Sequence, residues 1–190
     1  FCGLTEPNAN LEPETSEAFD IGVQWQSSDQ RLTLGATVFD QETENLIDFS
    51  YTAGYDNIAL VDSQGIELTG DYSVTDWLGV AASYTFIDAV DGEGNELTRL
   101  PESTGNVSLT LDPDGPFSGA VLVQYNGEEA NTDGSDLASW TRVDLTGSYD
   151  LNETIELYGR IENLFDEEYQ KILGYGTPGL SGSVGLRLRY

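Results

Sequence analysis

The chain has 190 residues, a net charge of -27, and no histidine or methionine. Without histidine there is no Ser-His-Asp triad and no imidazole metal site, and seven basic residues against 34 acidic ones form no basic patch to meet phosphates, which argues against a nucleic-acid partner. No apolar run approaches the ~20 residues of a spanning helix, but a membrane β-strand needs only ~9–11 residues with every second one apolar. A mean hydropathy of -0.31 therefore leaves a transmembrane barrel open.

Nine segments alternate with period two, the mark of strands with one apolar and one polar face. The first is 17–28, where Phe19, Ile21, Val23 and Trp25 alternate with Asp20, Gly22, Gln24 and Gln26. Next come 31–42 (Leu32, Leu34, Ala36, Val38), 64–75 (Ile66, Leu68, Gly70, Tyr72, Val74) and 78–89 (Val80, Ala82, Tyr84, Phe86). Segments 104–112, 116–127 and 140–150 follow, the last with Val143, Leu145, Gly147 and Tyr149 opposite Arg142, Asp144, Thr146 and Ser148. The eighth, 153–164, sets Ile155, Leu157 and Ile161 against Glu156, Tyr158, Arg160 and Glu162. The ninth, 181–190, sets Val184, Leu186, Leu188 and Tyr190 against Gly185, Arg187 and Arg189.

Short and long connections alternate. "SSDQ", "VTDW", "DPDG" and "LNET" are turn-forming, whereas 43–63, 90–103, 128–139 and 165–180 are long and mostly polar. Outer-membrane barrels sort their loops this way, with the long ones outside the cell. Trp25, Tyr72, Trp77, Phe117, Tyr149 and Tyr190 lie near the short-turn ends, and Phe19, Tyr84, Phe86, Tyr125 and Phe165 near the long-loop ends. Two such rows match interfacial aromatic girdles. An arc of nine strands leaves two unpaired edges, which are costly in lipid, and bacterial single-chain barrels have even strand numbers. The expectation is an all-β, up-and-down antiparallel meander that is the carboxyl-terminal part of a larger barrel, with residues 1–190 as one unit. Cys2 is the only cysteine, so no internal disulfide is expected, and no apolar segment precedes it to suggest a lipoprotein.

Four stretches resemble TonB-dependent outer-membrane receptors. "NANLEPETSEAFDIGVQW" (8–25) is similar to the family's "NP-x-L-x-PE-x-S" entry into a strand, and "NIALVDSQGIELTGDY" (57–72) to its "N-x-x-x-x-x-x-G-x-E" run. "IENLFDEEYQ" (161–170) resembles its "NLFD-x-x-Y" segment. "GYGTPGLSGSVGLRLRY" (174–190) resembles its closing strand with a terminal aromatic, with Leu180 where the family usually has Arg. The resemblance implies a 22-stranded barrel closed by an amino-terminal plug, which this chain lacks, and import of a scarce nutrient with energy delivered by TonB. Vitamin B12 and iron-siderophore receptors are the nearest groups. A passive porin and a soluble structural or adhesive surface protein are the rivals; the latter would show no apolar outer band.

The expected chemistry is binding and gated passage rather than catalysis, with no catalytic residue and no cofactor. Arg142, Asp144, Arg160, Arg187 and Arg189 fall on the polar face of the last strands, which implies a ladder of lumen-wall ion pairs or a surface facing the plug. Tyr51, Tyr55, Tyr169 and Tyr175 in the long loops are ligand-contact candidates, since each offers a flat apolar face with a polar tip. Asp91, Glu93 and Asn95 at alternate positions resemble half of a calcium loop, and Asn131, Asp133 and Ser135 do so more loosely. The charge is spread over every long loop, which fits adaptation to salty surroundings better than a field focused at a mouth.

Overall fold

A computed structural model describes residues 8–50, 54–131 and 133–189. Among them the alternating segments form strands β1 (Thr15–Gln26), β2 (Leu32–Ser50), β3 (Gly54–Ser73), β4 (Leu78–Asp91), β5 (Ser103–Leu111) and β6 (Phe117–Asn126). Two-residue strands β7 (Glu129–Ala130) and β8 (Asp136–Leu137) pair with each other in the next connection. Strands β9 (Trp140–Asp150), β10 (Ile155–Glu162) and β11 (Ser181–Leu188) complete the chain. Nine strands make one antiparallel sheet in the order β1-β2-β3-β4-β5-β6-β9-β10-β11, the expected meander.

Residues opposite one another on antiparallel neighbours share a face, so the register fixes each face across the whole sheet. One apolar row runs Leu34, Gly70, Ala82, Val107, Val123 and Val143; the next runs Leu32, Tyr72, Val80, Leu109, Val121, Leu145 and Ile161. Gly159, Leu157 and Ile155 carry the band onto β11 opposite Val184, Leu186 and Leu188. The band is not packed against protein: Val184 is 75% exposed, Leu186 62% and Leu188 63%, and Phe19, Ile21, Val23 and Trp25 are equally bare. The buried apolar residues, Val61, Ala89, Leu137, Trp140 and Tyr169, lie outside it. A soluble sandwich would have to bury such a face against a second layer. Hydrocarbon is the solvent that suits it. At its loop-side margin the row Phe19, Asp40, Gln64 and Asp88 turns polar, and Gln64 Nε2 donates to Asp88 Oδ2 at 3.4 Å.

Of the connection expected over 43–63, residues 43–50 and 54–63 are instead strand. β2 and β3 stay paired from Leu32↔Tyr72 to Ser50↔Gly54, so this hairpin runs about twice the ~9–11 residues that a bilayer requires. Beyond the band both faces of a hairpin meet water, alternation fades, and "ENLIDFS" carries no period-two signal although backbone pairing continues. Asn45 sits at φ 58°, a conformation Asn tolerates better than most residues, and its carbonyl accepts from Asn57 Nδ2 at 2.6 Å. Tyr51 and Tyr190, expected as a ligand contact and a girdle residue, lie outside the described residues.

On the polar face an aromatic ring twice lies over a cross-strand glycine. A Cβ at Gly185 would stand 2.5 Å from the ring of Tyr158, and one at Gly65 would stand 2.5 Å from the ring of Phe39. Glycine at these positions lets the ring lie flat along the wall.

Candidate functional site

The polar face becomes a built surface across β9, β10 and β11. Alternation places Arg142 and Asp144 of β9, Glu156 and Arg160 of β10 and Arg187 of β11 on one side, with Glu156 directly opposite Arg187. The expected ladder of ion pairs is present in detail. Glu156 is buried; its Oε1 accepts from Arg187 Nη1 at 2.8 Å and its Oε2 from Arg189 Nη2. Arg189 Nη1 also donates to Asp150 Oδ1 at 3.2 Å. Asp144 is buried as well; it accepts from Arg142 Nη2 at 2.8 Å and from the backbone amide of Asn163 at 2.9 Å, with Arg160 Nη2 3.8 Å away. Arg160 Nη2 lies 3.0 Å from Glu162. A buried carboxylate persists only when charge and lone pairs are both met, and each of these two has two cations in reach. The Arg187 guanidinium stands 5.3 Å over the Tyr158 ring.

The stretch after β10 folds inward onto this wall, and the polar residues of "NLFDEEY" do the folding. Asn163, at φ 53°, is almost fully buried. Its side-chain amide donates to the carbonyls of Glu167 at 3.0 Å and Pro178 at 3.2 Å, and its Oδ1 accepts from the Glu167 amide at 2.8 Å. Asp166, at φ 56°, accepts from the Leu180 amide at 2.7 Å, and a side chain at Gly179 would collide with that carboxylate. Tyr169 stacks on Trp140 with centroids 4.3 Å apart, accepts from Arg142 Nη1 at 3.2 Å through its hydroxyl, and accepts from Thr177 Oγ1 at 2.7 Å through its carbonyl.

Tyr169, a ligand candidate from the sequence, is buried at 8% exposure and packs within this wall. Tyr55 stays exposed near the tip of the β2–β3 hairpin, its ring 5.1 Å from Phe49, and Tyr175 is exposed in the last loop. Tyr55, Tyr169 and Tyr175 thus occupy separate places. Asn163, Trp140, Lys171 and Arg99 were not singled out, although the first lies within the quoted motif.

The Asp91 segment is a turn capped by its own side chain. Asp91 Oδ1 accepts from the amides of Glu93 and Asn95, both at 2.9 Å, and Oδ2 accepts from Asn95 Nδ2 at 3.0 Å. These bonds, led by the Asn95 side chain, hold the Asp91 carboxyl below its usual value. Asp133 repeats the device with the Ser135 hydroxyl and amide, and its carboxyl is likewise lowered, chiefly by that hydroxyl. Among the described residues no three carboxylate or thiol groups converge on a point where a metal ion could sit.

Comparison with known proteins places this architecture. The family model described as "TonB dependent receptor-like, beta-barrel" matches residues 2–164. The probable TonB-dependent siderophore receptor PiuA of Acinetobacter baumannii is 26% identical over 187 residues, covering 85% of this chain and 24% of PiuA. The PiuA crystal structure superposes with a TM-score of 0.80 at 23% identity, over 97% of this chain and 30% of that one. The ferric-catecholate import receptor Fiu from E. coli K12 gives 0.78 at 19% identity, over 96% of this chain and 29% of Fiu. The ferripyoverdine receptor of the Pseudomonas aeruginosa outer membrane gives 0.77 at 18%, over 94% and 27%. The structural likenesses establish the fold. The chain spans about a quarter of the length of PiuA.

Proposed function

This chain belongs to the family of TonB-dependent receptor-like β-barrels, and from that membership we propose that it is the carboxyl-terminal portion of an outer-membrane receptor that binds a scarce nutrient outside the cell and imports it with energy delivered by TonB. Ferric siderophore is the favoured cargo. PiuA, Fiu and the ferripyoverdine receptor all carry siderophore or ferric-complex names, and no relative described above is named for vitamin B12. In this reading the apolar band meets outer-membrane lipid and the β2–β3 hairpin reaches outward.

The observation that carries the reading is the wall of β9–β11. Arg160, Arg187 and Arg189 keep about half of their side-chain surface free while within ion-pair reach of the buried carboxylates Asp144 and Glu156. Such groups can still donate to a second surface, and a plug within the lumen is the partner that fits. Uptake of radiolabelled ferric siderophore by cells producing the full receptor provides the test. Uptake should stop when TonB is deleted or the proton gradient is collapsed. Uptake that continues unchanged would favour the porin and sink the proposal.

A further inference from the structure

The chain holds seven cationic side chains among 34 carboxylates. Arg31, Arg142, Arg160, Arg187 and Arg189 are all ion-paired. Arg99 and Lys171 make no ion pair among the described residues, and both line the same cavity of about 450 Å³ on the polar face, toward the long-loop end. Its walls include Trp140, Asn106, Gln124 and Asn126, carried side by side by β5, β6 and β9. Glu129 is the carboxylate at this cavity, and it pairs with neither cation within 4 Å.

The main chain of Arg99 and the ammonium of Lys171 each have a defined anchor. Arg99 sits at φ 61°, a conformation that an ordinary residue keeps where the surroundings impose it. Its amide donates to the Ala130 carbonyl at 2.8 Å, which ties it to the small β7–β8 hairpin. The Lys171 ammonium stands 5.4 Å over the Trp140 ring, whose indole is itself stacked on Tyr169. Three chain segments far apart in sequence thus bring two cations to one hollow.

Two cations that make no ion pair among the described residues line one cavity with amide walls and a single carboxylate, Glu129, so the lining carries a net positive charge that a negative group from elsewhere would complement. The Debye length of ~8 Å at physiological salt screens the remote loop acids, so the groups lining the cavity decide what it accepts. The volume falls in the ~300–1,000 Å³ range of small-molecule sites.

We propose that this cavity is a recognition subsite for an anionic small molecule, with Arg99 and Lys171 as charge partners and the Asn106–Gln124–Asn126 amides as neutral donors. Its use for cargo rests on the receptor reading above, in which case the cargo is an anionic chelate rather than a neutral or cationic one.

The test is equilibrium binding to the full receptor in detergent, with two kinetically inert probes of similar size: chromium(III) tris-catecholate, a trianion, and chromium(III) tris-acetohydroxamate, which is neutral. The trianion should bind about tenfold or more tightly than the neutral chelate. Arg99→Gln and Lys171→Gln should each weaken the trianion several-fold, the double variant should abolish the preference, and Arg99→Lys should largely restore it. Arg31→Gln, paired to Asp76 near the opposite end of the strands, should change nothing. Failure of the trianion to bind, equal affinity for both probes, or a preference that survives the double variant would each overturn the subsite. Binding in detergent needs no TonB, so loss of the transport reading in the uptake assay would leave this result standing, and the reverse also holds.

Discussion

The two ends of the sheet obey the same alternation and use it differently. At the β1–β4 end the polar face carries Gly22, Thr37, Glu67 and Thr85 in one row, both faces of β1 are open, and only Arg31 and Asp76, beside the short turns, make an ion pair among the described residues. At the β9–β11 end the same face buries Asp144 and Glu156, surrounds them with four arginines, and carries an inward-folded loop. The outer band is common to both ends, since hydrocarbon asks the same of every strand. The inner wall differs because only one end buries charge, and buried charge demands partners.

The largest test of that contrast removes a buried carboxylate. Asp144→Ala strands the Arg142 guanidinium and the Asn163 amide together, and should destabilise the folded barrel by about 3–5 kcal/mol. Thr37→Ala, on the same face at the other end, should change stability by less than about 0.5 kcal/mol. Denaturant unfolding of the full receptor in lipid vesicles reads both. Equal effects would mean that the two walls are energetically alike.

The band should behave oppositely, with no difference between ends. Val23→Arg on β1 and Leu186→Arg on β11 each place a cation on the lipid face and should each cost ~2–4 kcal/mol if near the midplane. A cost confined to one end would show that the apolar row does not meet lipid all the way round.

Next in size is the hinge of the inward loop. Asn163→Ala removes three side-chain hydrogen bonds and leaves a positive φ to a residue that resists it, for roughly 2 kcal/mol. The clearer readout is local: limited proteolysis should cut within 164–180 in the variant and spare that stretch in the parent. Asn163→Gly, which relieves the backbone but not the lost bonds, should fall between them.

The same contrast explains what could be read without coordinates. The run Val184, Leu186, Leu188 against Gly185, Arg187, Arg189 announces its two faces because lipid and water impose opposite demands on adjacent residues. All nine strands of the sheet, and the facing of the five charged residues named on the wall, follow from that one rule. The upper halves of β2 and β3 do not, since water on both faces removes the pattern. The roles of Asn163 and Tyr169 were also hidden. A loop that folds back is held by hydrogen bonds to backbone atoms up to 15 residues away, and no periodicity encodes those. Nor does periodicity bring Arg99 and Lys171 together, which takes the register of β5, β6 and β9.

The smallest effect concerns the outer turns, which lie beyond either wall. Asp91 gains hydrogen bonds on folding that favour its charged form, so its folded pKa lies below the unfolded value near 3.8. The sign follows from that direction. The turn's contribution is fully present above the unfolded value and is lost as pH falls through the folded one, because the protonated carboxyl accepts more weakly from the Glu93 and Asn95 amides than the carboxylate does. Asp91 is half-exposed at the end of β4, and screening by solvent keeps the contribution slight. Carbon-13 titration of the Asp91 carboxyl should give a midpoint below 3.8, and Asn95→Ala should move it up, since Asn95 supplies the leading bond. An unmoved midpoint would mean that the backbone amides alone hold the turn, whereas an ordinary midpoint in the parent would show that the cap does not form in solution.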